Sequence, residues 1–331
     1  MNIHIIFPFQ DGPYGGGNQF LKALRKIFRE TGCYAENPEE ANLFLLNSFQ
    51  DIRPVLRMKY EFPDIPFVHR VDGPISLYRN SSSVSLDQLI FSLNEKLADA
   101  TIFQSHFSLI QNRRLGMRKS QLETIISNAP DHDVFFKKNI PVETIHHKTK
   151  LISTSWSSNA MKGFDIYQYI DEHLDFSRYE YVFVGNTPIP FKNITVVPPQ
   201  PSEKIAELLR ASDIYITASK KDPCSNSLIE ALSCGLPAVA LNDGGHPELI
   251  KTGGELFNTP AEAIKKIEMI VEDYTSYIKE IPIFSITEKS KEYMDFLQAV
   301  LNKKRNGSLI PKSITQTQRF SLVLKSFFER V

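Results

Sequence analysis

The chain alternates short, almost wholly apolar runs with longer stretches whose apolar residues recur every three or four positions, the pattern of buried strands joined by crossover helices. Residues 3–7 form the first run. Phe20, Leu21, Leu24, Ile27 and Phe28 follow at helical spacing and stop at Gly32, a residue suited to a helix end. Further strands are predicted at 43–46, 66–71, 101–103 and 124–126. The polar stretch from about 138 to 150 contains Pro141, lacks periodicity and reads as a domain boundary. A second series begins beyond it, with strands predicted at 151–155, 181–184, 194–197, 213–217 and 237–241, and helices at 262–278, 288–304 and 316–331. The expected organisation is α/β: a Rossmann-like domain over residues 1–145, another over 146–285, and C-terminal helices over 286–331 that return to the first.

Composition narrows this picture without redirecting it. A chain of 331 residues, 42% apolar and 23% charged, has material for two globular cores. Lysine plus arginine and aspartate plus glutamate both number 38, so no global field draws the chain to nucleic acid. Cys33, Cys224 and Cys234 are odd in number and scattered, which suits a reducing compartment. The first residues show no basic region leading into a signal-length apolar run, and cytoplasm is the expected location. The last helical segment sets Phe320, Leu322, Val323, Phe327 and Phe328 among Arg319, Lys325 and Arg330. Packing on its own protein is the plainer reading, and peripheral contact at the inner membrane surface the other.

Chemistry concentrates between Asp213 and Glu248, a stretch that reads as strand, loop, helix, strand and glycine loop. The loop from Pro223 to Asn226 would open a helix whose leading N–H groups, from Ser225 to Leu228, favour an anion such as a diphosphate. Asp222 and Glu230 could accept hydrogen bonds from ligand hydroxyls. Against this, Ser227-Leu-Ile-Glu230 also fits a capping box, in which Glu230 merely satisfies a backbone N–H. Asp11-Gly-Pro-Tyr-Gly-Gly16-Gly17-Asn18 is a glycine loop between the first strand and helix, and it matches neither the dinucleotide fingerprint nor a phosphate loop. His69 and Asp72 close the third strand, whose end should open onto a cleft. Asp131 and Asp133, and the pair His146-His147, are poor metal signals without partners at ligand spacing.

The stretch Asp222, Glu230-Ala231, Cys234-Gly235-Leu236-Pro237, Gly244-Gly245 and Glu248 resembles the signature of retaining, family-4 glycosyltransferases of the GT-B fold, with Asp222 replacing the first glutamate of a Glu-x7-Glu motif. The resemblance implies two Rossmann-like domains whose parallel sheets face each other across a cleft, and a hexosyltransferase-type enzyme that needs no metal or other cofactor. It implies a nucleotide-diphosphate sugar, by family habit a UDP-sugar, as donor. The acceptor would be a glycan, a lipid-linked acceptor or another hydroxyl. Asp222 would face the transferred sugar, and Glu230 the nucleotide ribose. A second matching segment runs from Leu151 through Ser155 to Lys162-Gly163 and would set Ser155 and Lys162 at the donor. Gly16 and Gly17 would line the cleft, with His69 and Asp72 orienting a hydroxyl or stabilising charge on the sugar ring. Ser157 stands where the family carries an arginine, and Arg70, Arg79, Lys220 and Lys221 are candidates to compensate. Two alternatives remain beside this reading: a nucleotide-sugar epimerase of the same architecture, and a catalytically silent partner subunit.

Overall fold

The computed structural model describes residues 1–12, 15–79, 83–137 and 148–328. They form two compact units: one of Met1–Phe9, Leu21–Ser127 and Thr287–Val331, the other of Gln10–Phe20 and Asn128–Ile286.

The first half of the chain runs β1 (Ile3–Ile6), α1 (Gly16–Glu30), β2 (Leu43–Asn47), α2 (Ile52–Glu61), β3 (Phe67–Val71), α3 (Ile75–Tyr78), α4 (Val84–Leu97), β4 (Ala100–Phe103), α5 (His106–Arg114) and β5 (Glu123–Ile125). The strands pair in parallel in the order β1-β2-β3-β4-β5, with Ile3 opposite Leu43 and Phe44 opposite Phe67. On the outer side of β1, Tyr34 makes a further parallel bridge to Ile3. The chain therefore leaves β1 in one direction, through α1, and returns to pair β2 on the other side, so the winding reverses at β1. Phe44, Leu46 and Phe67 pack against Val55 and Leu56 of α2 and Leu89 and Leu93 of α4. Side chains of this size contribute about 1.5–3 kcal/mol each when fully buried, which is why β-rich runs and helical stripes find each other.

The second half runs β6 (Thr149–Ser155), α6 (Phe164–His173), β7 (Tyr179–Gly185), β8 (Thr195–Val197), α7 (Ser202–Arg210), β9 (Ile214–Thr217), α8 (Asn226–Ser233), β10 (Ala238–Leu241), α9 (His246–Ile250), β11 (Gly254–Phe257), α10 (Pro260–Glu272) and α11 (Tyr274–Lys279). Its sheet has the order β11-β10-β9-β6-β7-β8, and each neighbouring pair is parallel. Both faces are covered. Phe164, Tyr167, Ile267 and Ile270 close one side, and Leu209, Leu228, Leu232 and Leu249 the other. The chain builds β6, β7 and β8 outward, then jumps back across β6 to begin β9. In such sheets the strand ends on either side of the reversal diverge and leave a crevice, so the loops after β6 and β9 are where a ligand fits.

Two elements differ from the expected pattern. The edge strand β11 was not predicted, and the helix expected over 262–278 is broken at Asp273 (φ −128°, ψ 40°) into α10 and α11. The end of the chain adds α12 (Ile286–Arg305) and α13 (Gln316–Phe328). Leu322 of α13 is fully buried in the cluster that holds Leu56 and Leu93, whereas Phe320 and Leu324 are exposed. The Lys312 N–H donates to the Asp99 carboxylate at 2.7 Å, and the buried Lys59 ammonium lies 3.5 Å from the same group. Among the described residues no helix is long and apolar enough to cross a membrane. Most of the expected boundary stretch, residues 138–147, lies outside the described residues, as do His146 and His147.

Candidate functional site

Each loop beside the reversal of the second sheet carries one charged side chain toward the other. After β6, Asn159 caps a single 3-10 turn over Ala160–Lys162 by accepting from the Met161 N–H at 2.8 Å. Gly163 then turns left-handed at φ 77°, pressed so closely on Ala218 that a Cβ would stand 2.2 Å from that residue's carbonyl oxygen. The Lys220 N–H donates to Met161 O at 2.7 Å and ties the two loops together. Lys162 Nζ thereby comes to 3.3 Å from Asp222 Oδ2, across 60 residues of sequence, with the two side chains 31% and 17% exposed. The other oxygen, Asp222 Oδ1, accepts from the Cys224 N–H at 3.3 Å, which fixes the carboxylate plane.

The glycine loop before α9 supports Asp222 from below. Gly245 N–H donates to Asp222 O at 2.8 Å, and a Cβ on Gly244 or Gly245 would approach the backbone oxygens of Asp222 or Pro223 to 2.3 and 2.4 Å. Gly244 also has φ 64°, a conformation that side chains strain to adopt. We expect Gly244→Ala to cost on the order of 2–3 kcal/mol, from overpacking against rigid backbone added to the left-handed φ, with urea denaturation as the measurement. An unchanged midpoint would contradict this account of the loop.

Helix α8 starts at Asn226 with Ser225 as its N-cap, and the Ser225 side chain makes no capping hydrogen bond to the leading N–H groups. The capping box read from Ser227 and Glu230 does not form: the helix begins two residues too early for Ser227 to be the cap. Ser225 and Ser227 hydroxyls meet at 3.2 Å, and Leu228 is buried beneath them. Asn226 Oδ1 accepts from Asn128 Nδ2 at 2.9 Å, and its side chain fills the space that a Cβ on Gly16 would need, with Asn226 atoms 2.3–2.5 Å away. Gly17 meets nothing within 4 Å, so packing makes no demand for glycine there.

Glu230 lies one turn further along α8. Part of its surface is open, yet protein surrounds it closely enough that burial alone pushes its carboxyl up to about 8. Among the described residues its carboxyl has no hydrogen-bond or ion-pair partner. Beside it, the buried Tyr215 hydroxyl meets Thr154 Oγ1 at 3.2 Å. Ser155, at the end of β6, donates from its hydroxyl to Ser157 O at 2.9 Å. The next residue, Trp156, is 48% exposed and accepts from Asn186 Nδ2 through its carbonyl at 2.7 Å.

The candidates on the first unit stand differently. His69 is fully buried on β3, its Nε2 donating to Ser48 O at 2.8 Å and its Nδ1 accepting from Asn94 Nδ2 at 3.2 Å. Burial lowers its protonation to about 4. His69, expected to contact the sugar, thus has both ring nitrogens engaged with protein and no open surface. Asp72 is partly exposed, and its carboxylate pairs at 2.9 Å with the fully buried Arg70 guanidinium, which also donates to Asn47. Arg70 is therefore committed there. Lys220 pairs with Asp165 and Lys221 with Asp243, each at 2.9 Å, so these lysines arrive already neutralised. Arg79 is exposed on the first unit. Among the described residues no group of histidine, cysteine and carboxylate side chains could hold a metal ion, and Asp131 Oδ1 instead accepts from the Asp133 N–H. Sequence reasoning gave His246 no role, and nothing in its setting beyond the preceding glycine pair could have drawn notice to it.

A family model described as glycosyl transferases group 1 matches residues 191–280, the part of the second unit that holds Asp222, α8 and the glycine loop. Sucrose-phosphate synthase from Thermosynechococcus elongatus aligns over 91% of this chain and 99% of its own, with TM-score 0.69 at 13% identity. The Anabaena protein HepE, crystallised with UDP and glucose, aligns over 90% of this chain and all of its own, with TM-score 0.67 at 15% identity. The chain has the GT-B fold. At the level of sequence this GT-B chain is 32% identical over 76 residues to N-acetyl-alpha-D-glucosaminyl L-malate synthase of Bacillus anthracis, covering 22% of this chain and 20% of that one. The alignment thus spans about a fifth of the curated relative's length.

Proposed function

We propose that this GT-B protein is a glycosyltransferase that takes a sugar from a nucleotide-diphosphate donor, a UDP-sugar by preference, to a glycan or other hydroxyl acceptor, with retention of configuration. One observation carries the reading: beside the reversal of the second sheet stand an uncapped helix start and the Lys162–Asp222 pair, and Glu230, one turn along that helix, has a carboxyl with no partner among the described residues. Such a carboxylate is costly to the free protein, and vicinal ribose hydroxyls are the kind of double donor that would satisfy it. The N–H groups of Asn226, Ser227 and Leu228 suit the diphosphate, and the helix dipole favours its charge. Lys162 would leave Asp222 for the phosphates and stabilise the negative charge that grows on the departing diphosphate, whose oxygen then accepts the acceptor's proton on the same face of the sugar. Asp222, released from Lys162, would accept hydrogen bonds from the sugar hydroxyls. HepE, with UDP and glucose bound, supports a nucleotide donor for this fold.

The test is a thermal-shift screen of nucleoside diphosphates. UDP at a hundred times its Kd is expected to stabilise the protein by about 2.7 kcal/mol, since a ligand that binds only the native state shifts unfolding by mass action. No shift with any nucleoside diphosphate would sink the reading.

A further inference from the structure

His246 is fully buried at the start of α9, one residue beyond the Gly245 N–H that holds Asp222 O. Its Nδ1 lies 2.9 Å from Leu241 O, and because a carbonyl only accepts, that nitrogen carries the proton. Nε2 is then a lone-pair acceptor, and it is buried with no hydrogen-bond partner among the described residues. A polar atom orphaned in the interior calls for a physical reason, because it forfeits its hydration without compensation. The charges that face this ring are Asp222, Lys162 and Asp243, and Asp243 is itself held by Lys221 at 2.9 Å. Asp222 and Asp243 favour the imidazolium, Lys162 opposes it, and burial holds the ring neutral in the ligand-free protein. The balance at His246 is thus tied to where the Lys162 ammonium stands.

We propose that His246 is a positioning residue that acts as the second counter-charge of Asp222, taking a proton from solvent on Nε2 when Lys162 turns from the carboxylate to an anionic ligand. The ligand half of this inference rests on the donor site described above; the charge relation between the three side chains does not. An imidazolium beneath the loop holds the Asp222 carboxylate ionised and in place once its lysine has gone. Nε2 has no hydrogen-bond partner among the described residues, so its lone pair is available to receive the proton. The proton that arrives is the only species exchanged, and no bond between heavy atoms changes.

The experiment is NMR of histidine-labelled protein, with the His246 ring resonances assigned by their loss in His246→Gln. Lys162→Met, which removes the opposing charge, is expected to raise the titration midpoint of His246 by about one pH unit, and Asp222→Asn to lower it by a similar amount, as expected for neighbouring charges in a protein interior. The double variant should return near the wild-type value. Both single substitutions fall on partly exposed side chains, so loss of the fold does not mask the result. Saturating wild-type protein with UDP is expected to raise the midpoint as Lys162→Met does. An unmoved His246 in Lys162→Met, or in wild type with UDP shown to be bound by thermal shift, overturns the proposal. If His246 moves in the charge variants and UDP does not bind at all, the counter-charge relation stands and the donor reading falls.

Discussion

Replacing Glu230 by glutamine is expected to weaken nucleotide affinity by two orders of magnitude or more while making the ligand-free protein more stable at alkaline pH. The carboxyl ordinarily releases its proton near 4.5, and burial holds it to about 8 in the folded chain. Below about 4.5 both folded and unfolded states keep the proton, and the group costs nothing. As pH rises from 4.5 to 8 the unfolded chain ionises and the folded one does not, so stability falls across this window and levels off above it. After discounting for the open part of the side chain, the difference amounts to roughly 2–3 kcal/mol at pH 8, which glutamine removes. Melting curves of both proteins at pH 5 and pH 8 check this, and parallel curves at both pH values would refute it. The same logic makes nucleotide binding release a proton, because a carboxylate accepts hydroxyl donors better than a carboxylic acid does. Affinity is expected to strengthen as pH approaches 8, and calorimetry in buffers of different ionisation enthalpy reads the proton directly.

Lys162→Ala is expected to lower kcat by a factor of about 10²–10³ with a much smaller change in KM, because charge on the diphosphate grows as the sugar leaves. In the free protein the ammonium is already held by Asp222 at 3.3 Å, so part of its attraction for the ground-state donor is offset by giving up that pair. Steady-state kinetics with a donor found by the nucleotide screen provide the check. A change confined to KM would mean that Lys162 only binds, and wild-type values would remove it from the site altogether.

Much of the architecture was legible because parallel strands buried on both faces announce themselves as apolar runs; eight of the first ten strands are of this kind, while β5 and β8 are half-buried or exposed and showed only as short β-branched runs. The edge strand β11 did not: it begins at Gly254, its residues are mostly half-buried, and four residues without alternation carry no period. Why Gly254 is there is visible only in three dimensions, where a Cβ would meet Ala238 O at 2.0 Å. The break at Asp273 was hidden because the apolar stripe continues from α10 into α11. At the site, the spacing of Ser227 and Glu230 suits a cap as well as a ligand carboxylate; the start of α8 at Asn226 excludes the cap, which local spacing does not reveal. His69 illustrates a different limit. All five residues of β3 are buried, so no alternation tells which side a given residue faces, and a strand end near a crevice can still point inward. The meeting of Lys162 and Asp222 follows from sheet order, which local pattern does not encode; only the resemblance to a known family brought the two segments together beforehand.

Trp156 is the single tryptophan of the chain, and it directly follows Ser155 at the mouth of the loop that delivers Lys162. Its indole emission therefore originates from one place, at a residue about half exposed to water. Any molecule settling beside that loop changes the colour or brightness of this one emitter, which gives the protein an intrinsic optical gauge of occupancy, free of labels and usable in rapid mixing.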